Sequence, residues 1–102
     1  MLEIEEMSAK TKKDYIGMLK EAQALVKKHP EDSEAHIILG KAYGWLNFKD
    51  DEMAAYKQAI KLKPDYAEAW AGLSIAYRHA GRKAEAEAAF QKARELGPLL
   101  FK

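Results

Sequence analysis

The sequence contains no cysteine, which excludes a disulfide framework, a thiolate metal site and a thiol nucleophile. It has no surplus of charge of either sign. Seventeen basic residues face sixteen acidic ones, for a formal net charge of +1. A protein dedicated to nucleic acid needs an excess of lysine and arginine to neutralise phosphates, so that class of function is set aside. The basic clusters that do occur, Lys10 with Lys12 and Lys13, and Lys27 with Lys28, have Glu and Asp nearby and read as solvated helix faces. Apolar runs are too short to cross a bilayer. The opening MLEIEEMSAK is acidic and lacks an apolar core, unlike a secretory signal. The default expectation is a cytoplasmic protein with no membrane segment.

Constellations for chemistry are lacking as well. His29, His36 and His79 share no ligand spacing. Ser8, Ser33 and Ser74 sit in no nucleophile elbow. The six glycines are dispersed and form no phosphate loop. Asp50, Asp51 and Glu52 fall at a helix start, where the helix dipole favours anions. The expectation is a protein that is not an enzyme and that uses neither metal nor cofactor.

What is present is a period. Pro30, Pro64 and Pro98 are spaced by 34 residues twice over, a spacing that marks repeat architectures. Laying residues 33–64 over 67–98 gives eleven identities, among them Leu39/Leu73, Ala42/Ala76, Tyr43/Tyr77, Ala59/Ala93 and Leu62/Leu96. Tyr56 pairs conservatively with Phe90.

Each unit reads as two helices. In the last, Asp65 and Glu68 suggest a capping box. Trp70, Leu73, Ala76 and Tyr77 then recur at helical spacing until Gly81. Ala86, Ala89, Phe90, Ala93 and Leu96 form the face of a second helix, stopped at Gly97-Pro98. In the middle unit Asn47 takes the role of Gly81. Upstream, Tyr15, Met18, Leu19, Ala22, Leu25 and Val26 mark one more helix, with Thr11 and Asp14 as its capping box. Five helices are expected, at about 11–28, 33–46, 49–62, 67–80 and 83–96.

These residues resemble the tetratricopeptide repeat family. In the last unit Trp70, Leu73, Ser74, Tyr77, Gly81, Ala86, Phe90, Ala93 and Pro98 stand at the family's signature positions, and in the middle unit Leu39, Gly40, Tyr43, Tyr56, Ala59 and Pro64 do. The resemblance implies an all-α, right-handed superhelical array of helix-turn-helix repeats, about two and a half units long. The domain would run over 11–98, as a half repeat 11–30 and repeats 31–64 and 65–98. Residues 1–10 would be a leader or degenerate helix, and 99–102 an apolar stub.

Three positions depart from the family pattern. His36 replaces a large apolar residue. Glu52 stands where a small residue is expected, which a shifted turn over Asn47–Asp51 would explain better than an edge position. The first unit matches the pattern only in its second helix, around Asp14, Tyr15 and Pro30.

The resemblance also implies where a partner binds, because the first helix of each pair lines the concave side. Ile37, Ile38, Trp45 and Ile75 would form an apolar stripe there, beside Lys41, Arg78 and His79. The alternative is that Ile37, Ile38 and Trp45 are covered by the chain's own upstream residues. The family's clamp for a C-terminal carboxylate is not expected, since Ile37, Ile38, Glu68 and Gly72 occupy the comparable places. The expected function is a scaffold or adaptor whose groove takes a peptide or partner helix. The alternative is a structural module that stacks end to end, as a homodimer or longer solenoid, through Leu99, Leu100 and Phe101.

Overall fold

A computed structural model of the chain describes residues 9–97. The leader through residue 8, the stub from Pro98 onward and the stacking residues Leu99, Leu100 and Phe101 lie outside the described residues. Five helices follow one another: α1 (Ala9–Lys28), α2 (Ser33–Trp45), α3 (Lys49–Leu62), α4 (Ala67–His79) and α5 (Lys83–Leu96). No strand occurs among the described residues. α2 with α3 and α4 with α5 form two hairpins in strict 34-residue register, and α1 packs on α2 as α3 packs on α4.

The turns repeat down to single hydrogen bonds. Asn47 (φ 63°) and Gly81 (φ 78°) both take the left-handed conformation that ends a helix and turns the chain back. Immediately after them, the Phe48 N–H donates to the Tyr43 carbonyl at 3.0 Å and the Arg82 N–H to the Tyr77 carbonyl at 2.8 Å. Ser33 Oγ donates to the Ala59 carbonyl at 2.9 Å, a bond that Ala67, one repeat later, does not make. His36 Nε2 donates to the Pro30 carbonyl at 2.9 Å, and Trp70 Nε1, one repeat later, to the Pro64 carbonyl at 2.8 Å. His36 thus keeps the polar half of the role that Trp70 fills and gives up the apolar half.

Close helix approach explains the small residues. The Tyr56 ring sits between Gly40 of its own hairpin and Gly72 of the next. A methyl group on either glycine would lie 2.8 Å and 2.4 Å, respectively, from the ring's Cε1. Around this plug Ile37, Met53, Ala59, Leu73 and Tyr77 close the core. Among the described residues no buried side-chain nitrogen or oxygen lacks a partner.

Two expected caps are corrected. α4 is capped at Tyr66, without a side-chain bond, because the Tyr66 N–H closes a turn onto the Lys63 carbonyl and delays the helix by one residue beyond Asp65. Glu68 instead accepts from the Tyr66 hydroxyl at 3.1 Å. Thr11 lies inside α1, which begins at Ala9, so it does not cap that helix. By contrast Asp32 caps α2, accepting from the Glu34 N–H at 3.0 Å.

Candidate partner-binding groove

α2 and α4 lie side by side with α1 and α3 packed against them, so residues spaced three and four apart along α2 and α4 line one trough. Trp45, Ile38 and Ile75 are 42%, 39% and 47% exposed. Ile37 is fully buried, which corrects its expected place in the groove. One residue turns a helix by about 100°, so neighbouring isoleucines diverge: Ile37 enters the core and Ile38 faces out. Among the described residues α1 covers Trp45 in part, stacking Tyr15 on it with ring centroids 5.7 Å apart; the N-terminal segment that the alternative reading also invoked lies outside the described residues.

Two adjoining hollows make up the trough. One, of about 310 Å³, opens between α1 and α2 and is lined by Met18, Glu21, Ala22, Leu25, Ile38, Lys41, Ala42 and Trp45. The other, of about 400 Å³, lies over α2, α3 and α4, with Trp45, Tyr56, Gly72 and Ile75 among its walls. Lys41 and Trp45 line both. At the second hollow Lys41 Nζ bridges to Glu68 Oε1 at 3.2 Å, with both side chains nearly half exposed. Such a pair contributes only about 0–1 kcal/mol, so it adds little to the stability of the fold.

Beneath the second hollow Glu52 is buried and His79 half-buried, with His79 Nδ1 donating to Glu52 Oε1 at 3.0 Å. This corrects the shifted-turn reading: α3 keeps its register, and the carboxylate enters the space that Gly44 leaves open. A methyl group on Gly44 would lie 2.5 Å from Glu52 Oε2. Arg78 is exposed beyond Ile75. Burial, and secondarily the Glu52 and Glu68 carboxylates, push the Tyr56 phenol well above its ordinary range. At the trough's edge the Glu34 carboxylate accepts from the Tyr66 hydroxyl, and that bond first of all pushes the Tyr66 phenol up.

Sequence reasoning missed Met18, Leu25, Glu52 and Tyr56 as groove residues, while Gly72 lies where the concave face was expected. The 34-residue offset carried the signal, since it pairs Met18 with Glu52, Ala22 with Tyr56 and Ile38 with Gly72. The histidines stay apart: His29 lies in a turn, His36 is held on Pro30 and His79 on Glu52. Among the described residues no group of three or more His, Cys, Asp or Glu side chains is placed to hold a metal ion. No described helix is long and apolar enough to cross a membrane. The geometry can hold apolar side chains between fixed charges.

Comparisons with known proteins agree with this architecture. The family model described as tetratricopeptide repeat matches residues 54–99. "Tetratricopeptide repeat protein 37" of Xenopus laevis is 34% identical over 71 residues, which is 70% of this chain and 4% of that protein. "Superkiller complex protein 3" of Homo sapiens is 31% identical over 87 residues, 82% of this chain and 6% of that protein. The chain therefore spans a small part of these relatives. Among solved structures, MamA MSR-1 superposes with a TM-score of 0.77 at 23% identity, over 85% of this chain and 50% of that one.

Proposed function

Since the chain belongs to the tetratricopeptide repeat family, whose members serve generally as protein-interaction scaffolds, we propose that its trough binds a peptide or partner helix. The observation that carries this reading is the exposure of Ile38, Trp45 and Ile75 together along the trough, with Lys41, Glu68 and His79 around them. Isolated apolar residues on a surface are ordinary. A contiguous set rimmed by charge is the signature of an interaction site. Trp45 is the principal anchor, because large aromatic side chains at the centre of an interface carry much of its energy. That human and mouse relatives are named as components of a complex accords with a scaffolding role. The reaction chemistry of an enzyme has no place in it.

A photocrosslinking residue placed at position 75, and separately at the exposed position 61 on α3, tests the reading in lysate of the source organism. Adducts to another polypeptide from position 75 alone, lost when Trp45→Ala and Ile38→Asp are added, are expected. Equal labelling from both positions, or adducts only to a second copy of this chain, would overturn it. Ile37 is left untouched, since a charge there would unfold the core.

A further inference from the structure

The floor of the second hollow holds two oxygens that the fold leaves without partners. Glu52 and Tyr56 stand one turn apart on α3 and are 2% and 4% exposed, yet both line this hollow. His79 Nδ1 occupies Glu52 Oε1. Glu52 Oε2 and the Tyr56 hydroxyl make no hydrogen bond with any described residue. Since no buried side-chain oxygen among the described residues lacks a partner, both atoms open to the hollow. The hydroxyl end of the Tyr56 ring is held between Gly40 and Gly72, and Glu52 Oε2 lies in the room that Gly44 leaves.

Helix packing alone does not call for these oxygens. One repeat later Ala86 and Phe90 take the same two positions on α5, and one repeat earlier Met18 and Ala22 take them on α1. α5 packs on α4 and α1 on α2 with neither oxygen. A phenylalanine ring would plug the junction between Gly40 and Gly72 as well as a tyrosine does, and one carboxylate oxygen suffices to hold His79. A desolvated polar atom without a partner costs about 1–3 kcal/mol, so two of them in one hollow call for a group from outside.

That group is defined by what the two atoms exchange. Glu52 Oε2 only accepts, whereas the phenol, whose proton is held by burial and the nearby carboxylates, has a hydrogen to donate. Each charge around them already has a partner, Glu52 in His79 and Glu68 in Lys41. An ionic group entering the hollow therefore finds no unpaired counter-charge. A neutral group that donates and accepts at once is required, and a primary carboxamide does both. The way in is apolar, past Trp45, Ala71 and Ile75.

We infer that the second hollow takes the side chain of an asparagine or glutamine of the bound polypeptide, its NH2 donating to Glu52 Oε2 and its C=O accepting from the Tyr56 hydroxyl. The first hollow, with Met18 and Ala22 at these positions, lacks the pair. This inference rests on the reading that the trough binds a polypeptide, and adds which side chain one of its hollows reads.

The test uses the full chain and three probes that share a propyl stem: butyramide, n-butylammonium and butyrate. In 1H–15N spectra butyramide is expected to shift the Gly44, Gly72 and His79 amides saturably in the millimolar range, which suits so small a ligand. It should bind at least about fivefold more tightly than either ionic probe. Tyr56→Phe should weaken butyramide about fivefold and shrink its preference over n-butylammonium. Glu52→Ala combined with Gly44→Ala should weaken it at least about tenfold, since the lost acceptor is charged. The same spectra establish that each variant is folded. No saturable shift with butyramide, equal binding of butyramide and n-butylammonium, or butyramide binding that Tyr56→Phe leaves unchanged would sink the inference. If any of these is found while the crosslink at position 75 persists, the groove reading stands without it. Butyramide binding with no crosslink at position 75 would leave an amide site and remove the polypeptide from it, overturning the assignment to asparagine or glutamine.

Discussion

Glu52 and His79 lie on different repeats, 27 residues apart, yet His79 Nδ1 donates to the buried Glu52 carboxylate at 3.0 Å. The pair joins α3 to the end of α4 beneath the trough. A buried carboxylate that loses its partner keeps its desolvation cost without compensation. His79→Ala is therefore expected to lower stability by about 1–3 kcal/mol, measured by urea denaturation. The next repeat solves the same position with Ala86. Glu52→Ala combined with Gly44→Ala should accordingly be as stable as the natural chain or more so, because alanine is the better helix former by about 1 kcal/mol. Gly44→Ala alone should destabilise, its methyl group meeting Glu52 Oε2. Additive effects in this cycle would contradict the contact.

Tyr56 makes a similar demand on two glycines. Gly72→Ala places a methyl group 2.4 Å from the Tyr56 ring and is expected to cost about 1–3 kcal/mol through overpacking. Tyr56→Ala should cost about 3–5 kcal/mol by opening a cavity. Together they should cost less than the sum, since each relieves the other. Denaturation midpoints of the three variants decide it.

The two turns differ in how readily they adopt positive φ. Gly81→Ala should destabilise by about 1 kcal/mol, as an alanine pays for the left-handed conformation that glycine adopts freely. Asn47→Gly should leave stability within about 0.5 kcal/mol, because asparagine already tolerates it. A large loss in Asn47→Gly would mean that the asparagine side chain, and not the backbone, holds the turn.

Alkaline pH probes Tyr56 directly. Burial and the neighbouring carboxylates raise its folded-state pKa above the ordinary value near 10. The folded chain thus holds the phenolic proton more tightly than the unfolded one. The stability gained is complete below pH ~10 and is lost as pH rises beyond it. Melting temperature should hold steady from neutral pH to about 9 and fall above about 10. In Tyr56→Phe, starting from its own baseline, the fall should be shallower. Absorbance of phenolate should show Tyr56 and Tyr66 ionising later than the remaining tyrosines, and Tyr56→Phe should remove one of the two late ionisations.

Much of the fold could be read in the sequence because helix crossings restrict residue size. Gly40, Ser74, Ala59 and Ala93 are small for reasons that act at every repeat, and the proline spacing dates each unit to the residue. The candidate site was harder. Nothing in the pattern separates Ile37 from Ile38, since which isoleucine turns inward depends on how α2 rolls against α3. Glu52 looked misplaced because its partner lies on another repeat and its room comes from Gly44. Asp65 is a better cap than Tyr66 by composition, yet the turn after Pro64 decides where the helix begins.

The Lys41–Glu68 bridge across the trough has a consequence for selectivity. Its lysine lines both cavities, which are set one structural repeat apart like two notches of a gauge. A ligand that engages both must present its anchors at the matching interval and pass Lys41. Two segments of identical composition, differing only in the spacing of their bulky residues, would then be told apart by length.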